Sequence, residues 1–486
     1  MEGRVLRSST LIQGYQNDTN SLILRRTSAS FPFISFILFV LINILVILFV
    51  PVDNFPVLLS SILNLLLITV FVFVHFKNSP YSISNATILG FFYSFFWLAP
   101  YIQLTNRRFP NTMPFDDELI ILTNLVITLF IFAYCFTRFL LKDYRIVPFS
   151  SHHLNIEPST IFLKAIFLIS ILISFLLLPM VIKLFVNREW LIEKQSLSLI
   201  VRNFLFSIPT FPIFYLSTYK SYFARKLGAI KYNMLLIISI FMLLLFANPI
   251  TGKRNLIGPI YLSVLFLWLR SKKWLLHSFF IIVIVLTVLF PLTKSFTHSS
   301  LTIGSFSKAF LRMESYNIYK ELQGLDFDAW SMLMAGIDYI RKYEITYGRQ
   351  ILGVLLFWIP RSQWTNKPVG SGHLVAEKLL MKQYAMWFTN LSFPLPAEGL
   401  INFGLIGVIM FAIFLGVVSR YLDTLQNTEG YLRTLSIFTA FYLIYVLRGD
   451  LMSSFAYYVG RILGMYVVPL TIKKIMRAIL YDYIAR

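Results

Sequence analysis

Phe33-Ile-Ser-Phe-Ile-Leu-Phe-Val-Leu-Ile-Asn-Ile-Leu-Val-Ile-Leu-Phe-Val-Pro51 carries one amide and one hydroxyl among apolar side chains. A run of this length approaches the roughly twenty residues a hydrocarbon core requires. It follows about thirty largely polar residues and ends in Pro51-Val-Asp-Asn54 without a small-residue cleavage site, so it reads as a retained helix rather than a signal peptide. Similar runs begin near Phe55, Ser84, Leu119, Thr160, Asn203, Tyr232, Leu256, Trp274, Gly399, Thr434 and Leu451. The expected fold is all-α, a polytopic membrane protein with about twelve transmembrane helices in a single integral membrane domain over residues 1–486.

Composition agrees with that class. The chain is 57% hydrophobic and 13% charged, with a mean hydropathy of +0.72, values outside the range of soluble domains. Its net charge of +21 does not point to nucleic acid, because the basic residues recur at alternate helix ends. Arg25-Arg26, Lys77, Arg138/Lys142/Arg145, Lys220/Arg225/Lys226/Lys231, Arg270/Lys272/Lys273, Arg420/Arg433 and Lys473/Lys474/Arg477 fall on one side if each run spans once. The positive-inside rule makes that side the cytoplasm, with both termini there. Contact with anionic membrane lipids accounts for most of this basicity. The adjacent pair His152-His153 has no Cys or acidic residue at metal spacing, and Cys135 is the only cysteine, so neither a metal site nor a disulfide is expected. Without a Walker loop or a GxGxxG turn, nucleotide-driven pumping is not expected either, and no cofactor is expected.

Residues 296–397 break the apolar pattern and form one large extracytoplasmic loop. Around Trp330 to Ile340 the apolar residues recur at helical spacing, Gln350 to Ile359 is too short to span, and His373 to Trp387 reads as an amphipathic helix. The densest motif lies between them: Phe357-Trp-Ile-Pro-Arg-Ser-Gln-Trp-Thr-Asn-Lys-Pro-Val-Gly-Ser-Gly-His373. Pro360, Pro368, Gly370 and Gly372 interrupt the helices around Arg361 and Lys367.

That motif, with Asn390-Leu-Ser-Phe-Pro-Leu-Pro-Ala-Glu398-Gly-Leu-Ile-Asn402-Phe-Gly404, resembles the Wzy-type O-antigen and exopolysaccharide repeat-unit polymerases. The ten-residue spacing of Arg361 and Gly372 is similar to a pair found in periplasmic loops of that family. The resemblance implies a bacterial inner-membrane glycosyltransferase of GT-C type. Such an enzyme joins undecaprenyl-diphosphate-linked glycan units on the periplasmic face without nucleotide sugars. It also implies a chain-length regulator as a partner protein. Thr251-Gly-Lys-Arg254 further resembles a Thr/Ser-Gly-x-Arg element of O-antigen ligases and polymerases that is associated with the lipid diphosphate.

Displacing a diphosphate from an anomeric carbon builds negative charge on the leaving oxygen, and arginine is the side chain best suited to grip it. Arg254, Arg361 and Arg448 are the candidate diphosphate ligands, assisted by Lys367; headgroup contact or a structural ion pair is the alternative for each arginine, with Asp450 the expected partner of Arg448. Glu398 and His373 are candidates for the base that accepts the acceptor hydroxyl's proton. His373 is similar in placement to a loop histidine of the related ligases. The alternatives are a helix cap for Glu398 and a surface role for His373. Trp364 and Asn402 are assigned to glycan contact, with interfacial anchoring the alternative for Trp364. An O-antigen ligase shares donor and reaction and differs in acceptor. A polysaccharide transporter or flippase would instead place ionisable residues within helix centres, a pattern the sequence does not display.

Overall fold

The computed structural model describes residues 32–144, 155–186, 197–249, 252–269, 272–294 and 316–485. Arg25-Arg26, Arg145, His152-His153, Thr251, Arg270 and residues 296–315 of the long loop lie outside the described residues. Among the described residues the chain is helical, with no strand. We label the principal helices α1 (Phe33–Phe49), α2 (Phe55–Asn78), α3 (Ile83–Thr105), α4 (Asp117–Leu140), α5 (Thr160–Val186), α6 (Leu197–Thr218) and α7 (Ala229–Phe246). They continue as α8 (Arg254–Trp268), α9 (Ser278–Leu292), α10 (Ala329–Lys342), α11 (Leu395–Gln426), α12 (Tyr431–Arg448) and α13 (Leu451–Ile479).

Each of the twelve apolar runs carries a helix, but among the described residues eight helices, not twelve, are long and apolar enough to cross a membrane. These are α2 to α7, α11 and α13. Helices α1, α8 and α9 fall short of the roughly twenty residues required, and α12 carries Arg433 and Arg448 near its ends. Local signals set the starts. Asn54 caps α2 by accepting from the Val57 amide at 3.3 Å, and Asp116 caps α4 by accepting from the Glu118 and Leu119 amides at 3.0 and 3.3 Å. Asp117 and Glu118 then complement the α4 dipole.

Helix α3 is central: 94% of its apolar stretch is buried inside the protein, against 22% for α5, which turns Phe175 and Leu176 outward. Phe91, Phe92, Phe95, Phe96 and Trp97 fill the core around α3, which packs on α2, α9, α11 and α12. Helix α11 lies along α4 and α12, α8 along α12, and α13 along α6. Polar side chains join the helices where an unsatisfied group would be costly. Asn124 of α4 donates to Ser60 of α2 at 2.8 Å and accepts from the Trp330 indole at 2.9 Å. That second bond clamps α10 of the long loop onto the bundle. Gln103, at the end of α3, donates to the carbonyls of Leu322 and Phe327, at 2.8 and 3.0 Å.

Two features depart from a straight apolar helix. Backbone angles at Phe403 and Gly404 break α11, and the chain turns so sharply that Gly399 and Gly407 touch backbone to backbone. A Cβ on either glycine would strike the other's carbonyl. Arg461, inside α13, is 4% exposed and reaches Ser207 of α6 at 3.4 Å. The sequence pattern alone did not single out this cation within a helix.

Candidate functional site

The long loop and the helix ends beneath it enclose a cavity of about 360 Å³. Lys253, Arg254 and Arg448 line it together with Asp326, Asp328 and Asp450. Arg254 is the first residue of α8, where a cation opposes the helix dipole. Its guanidinium leaves the helix axis and meets Asp326: Nη2 donates to both carboxylate oxygens at 2.9 Å, and Nη1 donates to the Phe290 carbonyl at 2.7 Å. Its planar group also stacks over the Phe290 ring, 4.5 Å from the centroid. Lys294 adds a second cation 3.7 Å from Asp326. Burial pushes the Asp326 carboxyl up, but Arg448, Arg254 and Lys294 more than offset this and hold it below the ordinary aspartate range. The stability this group contributes is therefore present above the ordinary carboxylate pKa and is lost as pH falls through its lowered one.

Arg448 closes α12 and turns to the loop rather than to Asp450, its expected neighbour. Its Nη2 donates to the Leu325 carbonyl at 2.8 Å and to Asp328 Oδ1 at 3.2 Å, while the buried Nε has no acceptor among the described residues. Asp328 is 2% exposed and also accepts from the Ser392 amide and hydroxyl. Asp450 starts α13 by accepting from the Ser453 amide at 3.1 Å, and its other oxygen accepts from the Gly372 amide at 3.3 Å. Burial raises the Asp450 pKa, partly countered by these amide donors.

Beside the polar cavity lies a narrow apolar crevice between α8, α9 and α12. Arg254, Asn255, Phe290, Tyr445 and Arg448 border both spaces, and Leu262, Leu286 and Phe441 continue the crevice among the helices. The two arginines thus stand at the junction of a polar chamber and a hydrophobic slot.

The other expected site residues are placed elsewhere. Arg361 donates to the carbonyls of Lys367 and Pro368 at 2.9 and 3.3 Å, and Lys367 donates to those of Phe357 and Ile359 at 2.7 and 2.8 Å. Both cations brace their own loop, and neither lines the cavity. Trp364 is half-buried outside it, and His373 is 45% exposed with Glu377 3.7 Å away. Glu398 is 1% exposed and lies behind the cavity wall, accepting from the Ser371 hydroxyl at 2.6 Å and the Leu451 amide at 3.0 Å. It therefore supplies a cap to α13 and an anchor to the 370–372 segment. Asn402 is fully buried; it donates to the Glu398 carbonyl at 2.8 Å and accepts from Thr346 at 3.1 Å, which secures the α11 break to the loop.

The motif reaches the site through its backbone. A Cβ on Gly370 would press on the Asp450 carboxylate and force it to shift, so a glycine there lets the 370–372 segment, a strap tied to Asp450 and Glu398, pass this close. Lys253, Asp326, Asp328 and Asp450 were missed as site residues. Asp326 and Asp328 were visible as acids beside a predicted helix start, but nothing local assigns them to arginines 72 and 120 residues away, and Asp450 was read only as a neighbour for Arg448. Among the described residues no three His, Cys, Asp or Glu side chains gather as a metal ion would need. No family model matches the chain, and neither does any curated protein or solved structure in the comparisons made.

Proposed function

We propose that the chain is a metal-independent GT-C-type glycosyltransferase that polymerises undecaprenyl-diphosphate-linked oligosaccharide units into O-antigen or a related surface polysaccharide. It would work at the extracytoplasmic face of a bacterial inner membrane, with both termini in the cytoplasm, an orientation that rests on the ladder of basic helix ends. The observation that carries this reading is the placing of Arg254 and Arg448 on both the polar cavity and the apolar crevice. An amphiphile with an anionic head and a hydrocarbon tail matches that junction.

In the transfer, the acceptor hydroxyl attacks the anomeric carbon, and the bond from that carbon to the diphosphate oxygen breaks. The diphosphate leaves with the electron pair, and Arg254 and Arg448 stabilise its charge. The hydroxyl proton passes to a carboxylate. Asp326 and Asp328 are held by arginines, whereas Asp450 lines the cavity with no cation bonded to it among the described residues and has a raised pKa suited to a base. Asp450 takes that role in this reading, and Glu398 positions the strap and α13 behind it. Deleting the gene and resolving the surface glycan on a gel tests the proposal. Single repeat units in place of long polymer are expected. Polymer of unchanged length would overturn the proposal, and loss of all glycan from its lipid acceptor would reassign the chain to the ligases.

A further inference from the structure

A second cavity, of about 340 Å³, lies at the opposite end of the bundle. Helix α4 starts beside the long loop, where Glu118 pairs with Arg341 at 2.9 Å, and Arg138 lies about 30 Å further along it at 1.5 Å per residue. Arg138, Lys142 and Arg420 line this second cavity with His75, and no acidic residue is among its lining side chains. One face of Arg138 is held by Asp423 at 2.6 Å, while its Nη1 is buried without an acceptor. His75 is 1% exposed; its Nδ1 meets the Asn85 amide at 2.9 Å, and its Nε2 has no partner among the described residues. Arg420 reaches the carbonyls of Lys142 and Tyr144 at 2.7 and 3.2 Å. Three cations therefore converge on this space, and the Asp423 carboxylate beside Arg138 is itself bonded to Arg138, Ser82 and Ser84.

The rest of the lining is apolar, and it continues onto the outside of the protein. Phe132, Phe136 and Phe139 line the cavity and are also about half exposed, at 52%, 49% and 53%, along the outer face of α4. Lys142 lies 4.6 Å over the Phe139 ring, so charge and hydrocarbon meet at one point. A free inorganic anion would use the cations and leave that aromatic track empty.

We propose that this cavity seats the anionic headgroup of a membrane phospholipid, with its acyl chains running along the Phe132–Phe136–Phe139 face. The site is separate from the cavity at Arg254 and does not depend on the reaction assigned there.

The full chain, purified and stripped of lipid in detergent, would be unfolded thermally with added dioleoyl-phosphatidylglycerol, dioleoyl-phosphatidylcholine or inorganic phosphate. Phosphatidylglycerol should raise Tm by about 3 °C beyond phosphatidylcholine, and phosphate should not. Two variants keep Arg138 and its ion pair. K142Q/R420Q removes charge, whereas Val74→Trp fills the cavity and leaves every charge in place. Both should lose the difference between the two lipids while unfolding cooperatively in phosphatidylcholine. An undiminished difference in both variants, equal shifts from the two lipids, or the same shift from phosphate alone would overturn the proposal.

Discussion

The cavity around Arg254 and Arg448 and the motif from Phe357 to Gly370 contain the same kinds of side chain and use them in opposite ways. In the cavity, arginines face carboxylates contributed by a different part of the chain, and Arg448 retains a donor without an acceptor. In the motif, Arg361 and Lys367 are occupied by carbonyls within ten residues of themselves. A cation satisfied by its own loop fixes a shape, whereas one held across distant segments at the edge of a cavity can exchange its partner for an incoming anion. Residue type alone does not separate these cases, and geometry does.

The sharpest test is at Asp450. Replacing it with Asn keeps a good helix cap and removes the base, so transfer should fall by about a thousandfold with normal protein abundance. The wild-type rate should rise with pH through a pKa above the ordinary aspartate value, because the base works only when ionised, and this limb should vanish in Asp450→Asn. A rate that instead falls with pH would mark Asp450 as a charge repelling the donor. Next in size, Arg448→Ala and Arg254→Lys should each cost about a hundredfold in turnover, the scale of a lost electrostatic donor. Because Arg254→Ala also strands Asp326 in a buried pair, R254A/D326A separates the two effects. That double variant should recover abundance without recovering transfer, and restored transfer would make the pair purely structural.

The smallest effect is expected in the motif. Arg361→Ala removes hydrogen bonds worth about 1 kcal/mol each, so transfer should fall less than tenfold, while limited proteolysis near Pro360 should quicken. A loss matching that of Arg448→Ala, with the loop still protected, would erase the contrast between the two regions.

Much of the fold was legible because apolar periodicity is a local property: all twelve runs became helices, and α10 lies where Trp330 to Ile340 showed helical spacing. Span number was less legible, since the run length of α1, α8 and α9 stops short of a hydrocarbon core. For the candidate site, Arg254 and Arg448, which line the cavity, were singled out by the cations a leaving diphosphate needs. Asp326 and Asp328 were not, because a pairing across 72 or 120 residues leaves no trace in spacing. The glycines of the motif were visible, but their contact with Asp450 is a meeting of backbone and carboxylate that only the folded chain displays.

The meeting of Gly399 and Gly407 at the break in α11 bears on how this chain can vary over time. Contacts between side chains drift in pairs, one residue shrinking as its partner grows. Here both surfaces are main chain, so no change at one position can make room for a change at the other. The two sites are closed to compensation.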